Sequence, residues 1–240
     1  MLGQVTHLHD GIFHRLFVDP LGLKPHDDLV LLGPEDDLLH AFEAEGLQPD
    51  VVTLEFSRYG LEFRRANGEA LRKRLQDTIR GMGLETGNGY PPLLEALFSY
   101  LDLPYEFTTL SEYGCKTGTP LYLVDADVFS RLKLREVERM LERKNIEAFV
   151  DGGQDPGPGV SSERVLAGLY FRDGVRAFAY TEEMGARDRF MKDRISLLMR
   201  YHGPGRFLHV CGWRHLADPR QIYAPLNPTK VFIHDRTVCI

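Results

Sequence analysis

The chain has 240 residues, of which 43% are hydrophobic, so it holds enough apolar material for a substantial core. Its formal net charge of −6 argues against a general nucleic-acid binder. The cysteines are few, widely spaced and without a C-x-x-C pair, which argues against a disulfide framework or a zinc ribbon and favours a reducing compartment, by default the cytoplasm. No apolar run approaches the length of a membrane span, and the first residues lack the basic-then-apolar pattern of a signal peptide, so we expect neither.

Residues 1–28 are rich in histidine and irregular in pattern, and they predict an N-terminal arm or a short hairpin packed on the domain. A sharper interpretation uses His7 and His9, because a His-x-His pair at the end of a first strand is typical of the metal sites of amidohydrolase and phosphoesterase barrels. The residues before His7 make a poor strand, and the chain has too few strand–helix units for such a barrel. We therefore favour the arm or short hairpin.

Short apolar runs predict the strands of a mostly parallel sheet that is buried on both faces. A helical segment separates the first two runs, and the three pieces together predict a right-handed βαβ unit. The predicted strands are residues 29–33, 51–56, 119–125, 206–211 and 229–233.

Helical periodicity alternates with these strands. The predicted helices are 38–44, 66–80, 93–101, 132–144, 162–170 and 185–201, with 105–114 ambiguous but favouring a helix and a helical turn at 218–223. The Gly- and Pro-rich residues 151–160 predict a flexible surface loop, either a lid or an ordinary connection. Because no linker is long enough to separate two domains, we expect residues 1–240 to form a single α/β domain, a three-layer α/β/α sandwich around a mostly parallel sheet.

Arg187 is the informative exception on the predicted helix 185–201. On a helical wheel it lies on the same face as Met191, Ile195 and Leu198, which is the apolar face. Burying an unpaired guanidinium is costly, so Arg187 must reach something acidic or anionic at the edge of the sheet. We predict a contact between Arg187 and a carboxylate, first of all Glu55, at about 2.7–3.2 Å, with His215 beside the pair.

Polar residues follow the predicted strands at the ends where a ligand crevice forms in open α/β sheets. Carboxylates and an imidazole together suit a divalent ion such as Mn, Fe, Co or Zn, and the predominance of carboxylates favours the harder ions. The residues concerned are Gly33 with Glu35, Asp36 and Asp37, then Glu55, Asp125, and Gly212 with His215.

The later half of this pattern resembles the TraB-like and ChaN-like proteins, a superfamily that also includes erythromycin-esterase-like enzymes and the Tiki metalloproteases. The family has a strand ending in Gly-x-x-His, a strand ending in Glu, a helix that opens with an acidic-Arg-Asn/Asp sequence, and a second Gly-x-x-His. Residues 183–191 resemble the helix, residues 207–216 resemble the second Gly-x-x-His, and Glu55 followed by Arg58 resembles the Glu strand. At the first motif, Asp36 stands where the family has His.

The resemblance implies a metal-dependent hydrolase. Asp36, Glu55 and His215 would hold the ion, Glu35 or Glu55 would act as general base, and Arg187 would clamp an anionic group or the developing charge. Arg58, Asp125, Asp188 and Trp213 complete the set as candidate ligand-binding residues, although Asp125 also suits a supporting role, Trp213 suits packing, and Glu55 could simply pair with Arg58 or Arg187.

The alternative, which ChaN-like proteins suggest, is a non-catalytic binding protein for a tetrapyrrole such as haem or for another anionic ligand. We expect a small-molecule or peptide ligand, no nucleic acid and no membrane, with a homodimer kept as a further hypothesis.

Overall fold

The computed structural model describes residues 3–9, 12–18, 29–32, 48–84, 92–152 and 179–230. The predicted helices at 38–44 and 162–170, together with Glu35, Asp36 and Asp37, lie outside these residues, as does most of the predicted loop 151–160. Within the described ranges, no helix is both long enough and apolar enough to cross a membrane.

The chain forms two compact units, and each is described by itself. The sheet unit takes residues 1–55, 105–125 and 160–240, and the helical unit takes residues 56–104 and 126–159. All the described candidate site residues except Arg58 belong to the sheet unit.

The sheet unit begins with a hairpin, β1 (Gly3–His9) and β2 (Ile12–Val18), which pair antiparallel with His7 opposite His14. This matches the hairpin alternative for the N-terminal residues. The remaining strands form a five-stranded sheet in the order β5-β4-β6-β3-β7, and every neighbouring pair is parallel. These strands are β3 (Leu29–Leu32), β4 (Val51–Leu54), β5 (Leu121–Leu123), β6 (Phe207–Val210) and β7 (Thr229–Lys230).

The parallel sheet was predicted correctly, whereas the periodic pattern predicted no strand order. Strands β3 and β4 of the predicted βαβ unit are parallel but not neighbours, because β6 lies between them. Every residue of β4 and of β6 is buried. A strand with no exposed position on either face fits best at the centre of a sheet, where neighbours satisfy both of its edges.

The helices of the sheet unit are α3 (Tyr105–Thr117), α6 (Glu182–His202) and the short α7 (Trp213–Ala217), with a 3₁₀ turn at Ala224–Leu226. The helical piece predicted at 218–223 is therefore displaced, and residues 218–223 form turns. The start and the end of α6 follow from its local sequence. The Thr181 side chain accepts a hydrogen bond from the Met184 N–H at 3.2 Å, and the helix ends at Gly203, whose φ of 76° suits glycine.

The apolar face predicted for α6 is confirmed. Met191 and Ile195 are fully buried against Val51 and Phe207 of the sheet, with Leu198 partly buried beside them. The same face therefore carries Arg187 toward the edge of the sheet, where the strands end.

The helical unit contains α1 (Arg58–Gly81), α2 (Pro92–Leu101), α4 (Asp127–Met140) and α5 (Arg143–Gly152). Helix α1 begins eight residues earlier than predicted, because the Ser57 hydroxyl caps it by accepting a hydrogen bond from the Gly60 N–H at 2.9 Å. The core of this unit consists of Leu71, Leu75, Ile79, Leu94, Leu97, Phe98, Leu101, Leu134, Val137, Leu141 and Ile146.

Candidate functional site

The strands of the sheet bring three polar chain segments to one edge. Leu54 is opposite Val210 on one side and Leu123 on the other, so the next residues along each strand extend past the sheet together. Glu55, Asp125 and Gly212 follow these strand ends, which confirms the prediction that they share an edge. Gly33 lies outside the described residues, although the strand before it runs parallel to β6, with Leu32 opposite Val210.

Arg187 lies at this edge and is 9% exposed. Its Nη2 donates to Glu55 Oε1 and to Asp125 Oδ2, both at 2.7 Å, and its Nε donates to Asp125 Oδ1 at 3.3 Å. The predicted contact between Arg187 and Glu55 is confirmed. The two-pronged partner, however, is Asp125, whose two oxygens match the planar edge of the guanidinium. Burial opposes the charge on Arg187, but the two carboxylates outweigh this effect and raise its pKa.

Glu55 has a partner at each oxygen. Oε2 accepts a hydrogen bond from the Gly212 N–H at 2.6 Å, and Oε1, which binds Arg187, also lies 3.1 Å from His215 Nε2. Burial by itself would raise the pKa of Glu55, but the charges on His215 and Arg187 and these hydrogen bonds outweigh burial and hold the pKa well below its usual range. Glu55 is therefore a carboxylate at neutral pH.

His215 lies between two carboxylates, as a residue of the short helix α7 that begins directly after Gly212. Its Nδ1 is 2.6 Å from Asp188 Oδ1, and its Nε2 faces Glu55. Burial would favour the neutral ring, but Glu55 and Asp188 outweigh this effect and raise the pKa of His215 to about 9. The ring is thus an imidazolium at neutral pH when no metal ion is bound at Nε2, and Arg187 Nη1 lies 3.5 Å from this nitrogen.

Asp188 was predicted to belong to this site, but two of its partners were not. The hydroxyl of Tyr223 donates to Asp188 Oδ1 at 3.1 Å, and the hydroxyl of Tyr180 donates to Oδ2. Asp188 is fully buried, and a buried carboxylate requires such donors. Neither tyrosine belongs to a periodic pattern or a motif, so no signal in the sequence pointed to them.

The remaining candidates differ in where they lie. Trp213 is fully buried, which fits its packing interpretation. Arg58 belongs to the helical unit. It begins α1, its side chain is 82% exposed, and its Nε donates to Glu62 at 2.7 Å. The ligand-binding role expected for Arg58 stays a prediction.

His209 is a second imidazole in the interior of the sheet unit, on β6. Its Nδ1 is 3.0 Å from the Thr53 hydroxyl, as expected for a hydrogen-bonded core histidine. Burial lowers the pKa of His209 to about 4, so this ring is neutral while His215 is charged. The two rings thus occupy opposite protonation states within one unit, which shows how strongly the carboxylates act on His215.

The donors that could hold a metal ion at this edge are Glu55 and His215. Asp188 binds Nδ1 and directs Nε2 toward Glu55 Oε1, which is the usual arrangement of a metal-binding histidine held by a second carboxylate. Within the described residues there is no group of three or more such donors, and the third predicted ligand, Asp36, lies outside them.

The net charge of the cluster also bears on what it can bind. Glu55, Asp125 and Asp188 are acidic, and Arg187 and the His215 imidazolium balance two of these three negative charges. A divalent cation that displaced the proton on Nε2 would bring the sum to zero. The described donors therefore fit a divalent ion in charge and in donor type.

Comparison of the chain with family models, with curated proteins and with solved structures gave no match. The resemblance to the TraB-like superfamily therefore depends on the residues quoted for it.

Proposed function

We propose that the cluster of Glu55, Arg187, His215 and Asp188 is the active site of a metal-dependent hydrolase of the TraB/erythromycin-esterase-like kind. The observation that carries the proposal is the chain of contacts from Asp188 through the two ring nitrogens of His215 to Glu55, at 2.6 and 3.1 Å. This chain is at the carboxyl ends of parallel strands, where α/β proteins bind their ligands.

Asp36, Glu55 and His215 would hold the divalent ion, which would lower the pKa of a bound water and so supply the nucleophile. Manganese, iron, cobalt and zinc are the candidates, with the carboxylates favouring the harder ions. The residues of the chain orient this site. Asp188 fixes the His215 ring, the Gly212 N–H fixes Glu55, and Asp125 fixes Arg187.

The lowered pKa of Glu55 favours one of its two expected roles over the other. A general base works best when its pKa is near the working pH, and Glu55 is held well below that. Glu55 is therefore better suited to bind a cation than to accept a proton, which leaves Glu35 as the proposed general base. Arg187, already paired, would stabilise negative charge next to Glu55.

The shifted pKa values of the cluster favour the second candidate, a binding protein for a tetrapyrrole or another anionic ligand. Neither Glu55 nor His215 has a pKa close to neutral, and a site that only binds has no need of one. Both proposals retain the three-layer sandwich and the cytoplasmic location as expectations, along with a small-molecule or peptide ligand and a second copy of the chain as partners. The parallel strands support the sandwich, and the sparse cysteines support the cytoplasmic location.

The test begins with protein purified without chelator. Its metal content and its visible absorption are measured, followed by hydrolysis of chromogenic esters, amides and peptides after removal and return of each candidate ion. The hydrolase predicts close to one ion per chain and hydrolysis that depends on it. A haem absorption band would instead support the binding protein, and neither metal nor hydrolysis of any substrate class would overturn the hydrolase.

Matched variants then connect the activity to the cluster. Glu55→Gln and His215→Gln are expected to reduce both metal content and hydrolysis by about 100-fold or more, because ligands and their neighbours act together. Glu62→Gln is the control, since Glu62 is 58% exposed and pairs with Arg58 on α1. If Glu55→Gln and His215→Gln were as active as the Glu62→Gln control, the reaction would have to take place outside this cluster.

A further inference from the structure

Asp188 is the point where the interior of the sheet unit meets the candidate site. It lies on α6 with no exposed surface, and three donors surround its two oxygens. Oδ1 faces His215 Nδ1 at 2.6 Å and the Tyr223 hydroxyl at 3.1 Å, while Oδ2 accepts from the Tyr180 hydroxyl. The proposed hydrolase uses only the contact between Asp188 and His215.

The two tyrosines are confined to the phenol form. Burial raises the pKa of the Tyr180 hydroxyl, and its hydrogen bond to Asp188 raises it further. Burial and the nearby Asp188 charge likewise raise the pKa of Tyr223 well above its usual value. Each hydroxyl therefore keeps its proton and donates it to an oxygen of Asp188. His215 Nδ1 lies 2.6 Å from Oδ1 of the same carboxyl group, so the two hydroxyls and the ring share Asp188.

We propose that Tyr180 and Tyr223 are positioning residues that hold the Asp188 carboxyl group against His215 Nδ1 and so direct Nε2 to Glu55. This inference rests on the proposed function for its purpose, because Nε2 is the atom offered to the metal ion. A ring that turned over would bring carbon atoms to the positions of Nδ1 and Nε2, so that no ring nitrogen would face Glu55. The tyrosines act on this atom only through Asp188.

A separate set of hydrogen bonds in a turn holds Tyr223 in place. The chain after α7 turns at Asp218, whose φ of 42° and ψ of 59° are left-handed. The Asp218 carboxylate accepts hydrogen bonds from the backbone N–H groups of Ile222, at 2.6 Å, and Tyr223, at 3.0 Å. Lys230 Nζ lies 3.4 Å from the same carboxylate. Since Tyr223 is fully buried as well, its hydroxyl has little freedom to leave Asp188.

Tyr180 approaches Asp188 from the other side and is only partly buried. The Arg220 guanidinium lies 5.3 Å from the centre of its ring and donates to Glu182 at 2.9 Å, so the turn that carries Tyr223 also covers Tyr180. The two hydroxyls therefore reach Asp188 from segments on either side of α6 in the sequence, and their joint action depends on the tertiary fold.

The experiment compares Tyr180→Phe, Tyr223→Phe and the double variant with the unchanged chain by nitrogen-15 and proton NMR of the histidine side chains. Each single variant removes one oxygen atom, and the double variant removes two. In the unchanged chain, we expect an exchange-protected Nδ1–H resonance for His215, assigned by its loss in His215→Gln. Each single variant should accelerate solvent exchange of this proton by about tenfold, and the double variant should abolish the resonance, since a hydrogen bond to a charged group is a strong one.

Tyr122→Phe is the matched control. It removes a hydroxyl in the same unit that contacts His202 Nε2 at 3.0 Å, away from Asp188, and it should leave the His215 resonance unchanged. If Tyr223→Phe does not fold, Tyr180→Phe decides the question, because Tyr180 is the less buried of the two. An unchanged resonance in the folded variants, or equal loss in Tyr122→Phe, would overturn the inference.

Kinetics separate this inference from the proposed function. If the chain is a hydrolase, Tyr223→Phe should lower kcat by about tenfold with KM nearly unchanged, because the tyrosine contacts no substrate. The NMR result requires no substrate, so it stands or falls without the hydrolase. A changed resonance in a chain without hydrolytic activity would support the positioning role and count against the hydrolase alone.

Discussion

Replacing Arg187 by leucine tests the physical argument that first singled out this residue. The substitution keeps a good helix former on the apolar face of α6, so the helix should persist. It removes the cation whose Nη2 lies 2.7 Å from both Glu55 and Asp125. Taking one partner from a buried ion pair costs about 3–5 kcal/mol, mainly because the remaining charge is left in the interior. We expect a loss of stability of that size at pH 7.

The loss should depend on pH with a definite sign. The lowered pKa of Glu55 contributes to the stability of the unchanged chain above its ordinary value of 4.5, and this contribution is lost as the pH falls. In Arg187→Leu the pKa of Glu55 rises, so the carboxyl takes up a proton more readily. The difference between the two proteins should therefore be greatest at pH 7 and should shrink toward pH 4.

Urea unfolding at several pH values, followed by circular dichroism, measures this difference in the free energy of unfolding. Arg194→Leu is the matched control on the same helix, because Arg194 is exposed and its guanidinium lies 5.7 Å from the ring centre of Phe190. The control should change stability by about 0.5 kcal/mol or less. A loss in Arg187→Leu no larger than the control, or one that does not vary with pH, would refute the reasoning.

Two further predictions concern titration and packing. The pKa of His215, raised from 6.5 to about 9, contributes stability that is complete below 6.5 and is lost as the pH rises through 9. In the metal-free protein the free energy of unfolding should fall over this interval, by at most about 3 kcal/mol, and His215→Gln should flatten the curve. In the helical unit, Gly68→Ala should destabilise by about 1–3 kcal/mol, since the added Cβ would lie 2.9 Å from the Leu101 carbonyl oxygen. Gly81→Ala, with no atom within 4 Å of its Cβ, should be neutral or slightly stabilising in the same thermal unfolding assay.

The sequence determined those features that depend on the local period of the chain. Continuous apolar runs predicted the parallel strands, and the helical wheel placed Arg187 on the same face as Met191 and Ile195. From this placement the ion pair with Glu55 followed, because a buried guanidinium requires an acidic partner. The same local reasoning missed the start of α1, because the cap at Ser57 begins the helix at Arg58, whose side chain is exposed.

Only the tertiary structure decided which groups meet at the end of the strands. Because β4 lies between β5 and β6, Asp125 and Glu55 both reach Arg187, and Asp125 becomes its two-pronged partner. Tyr180 and Tyr223 converge on Asp188 from segments on either side of α6 that have no periodic pattern. Periodicity reports which way a side chain faces along its own helix or strand. The identity of its partners depends on strand order and on the course of the turns, which are set by long-range packing.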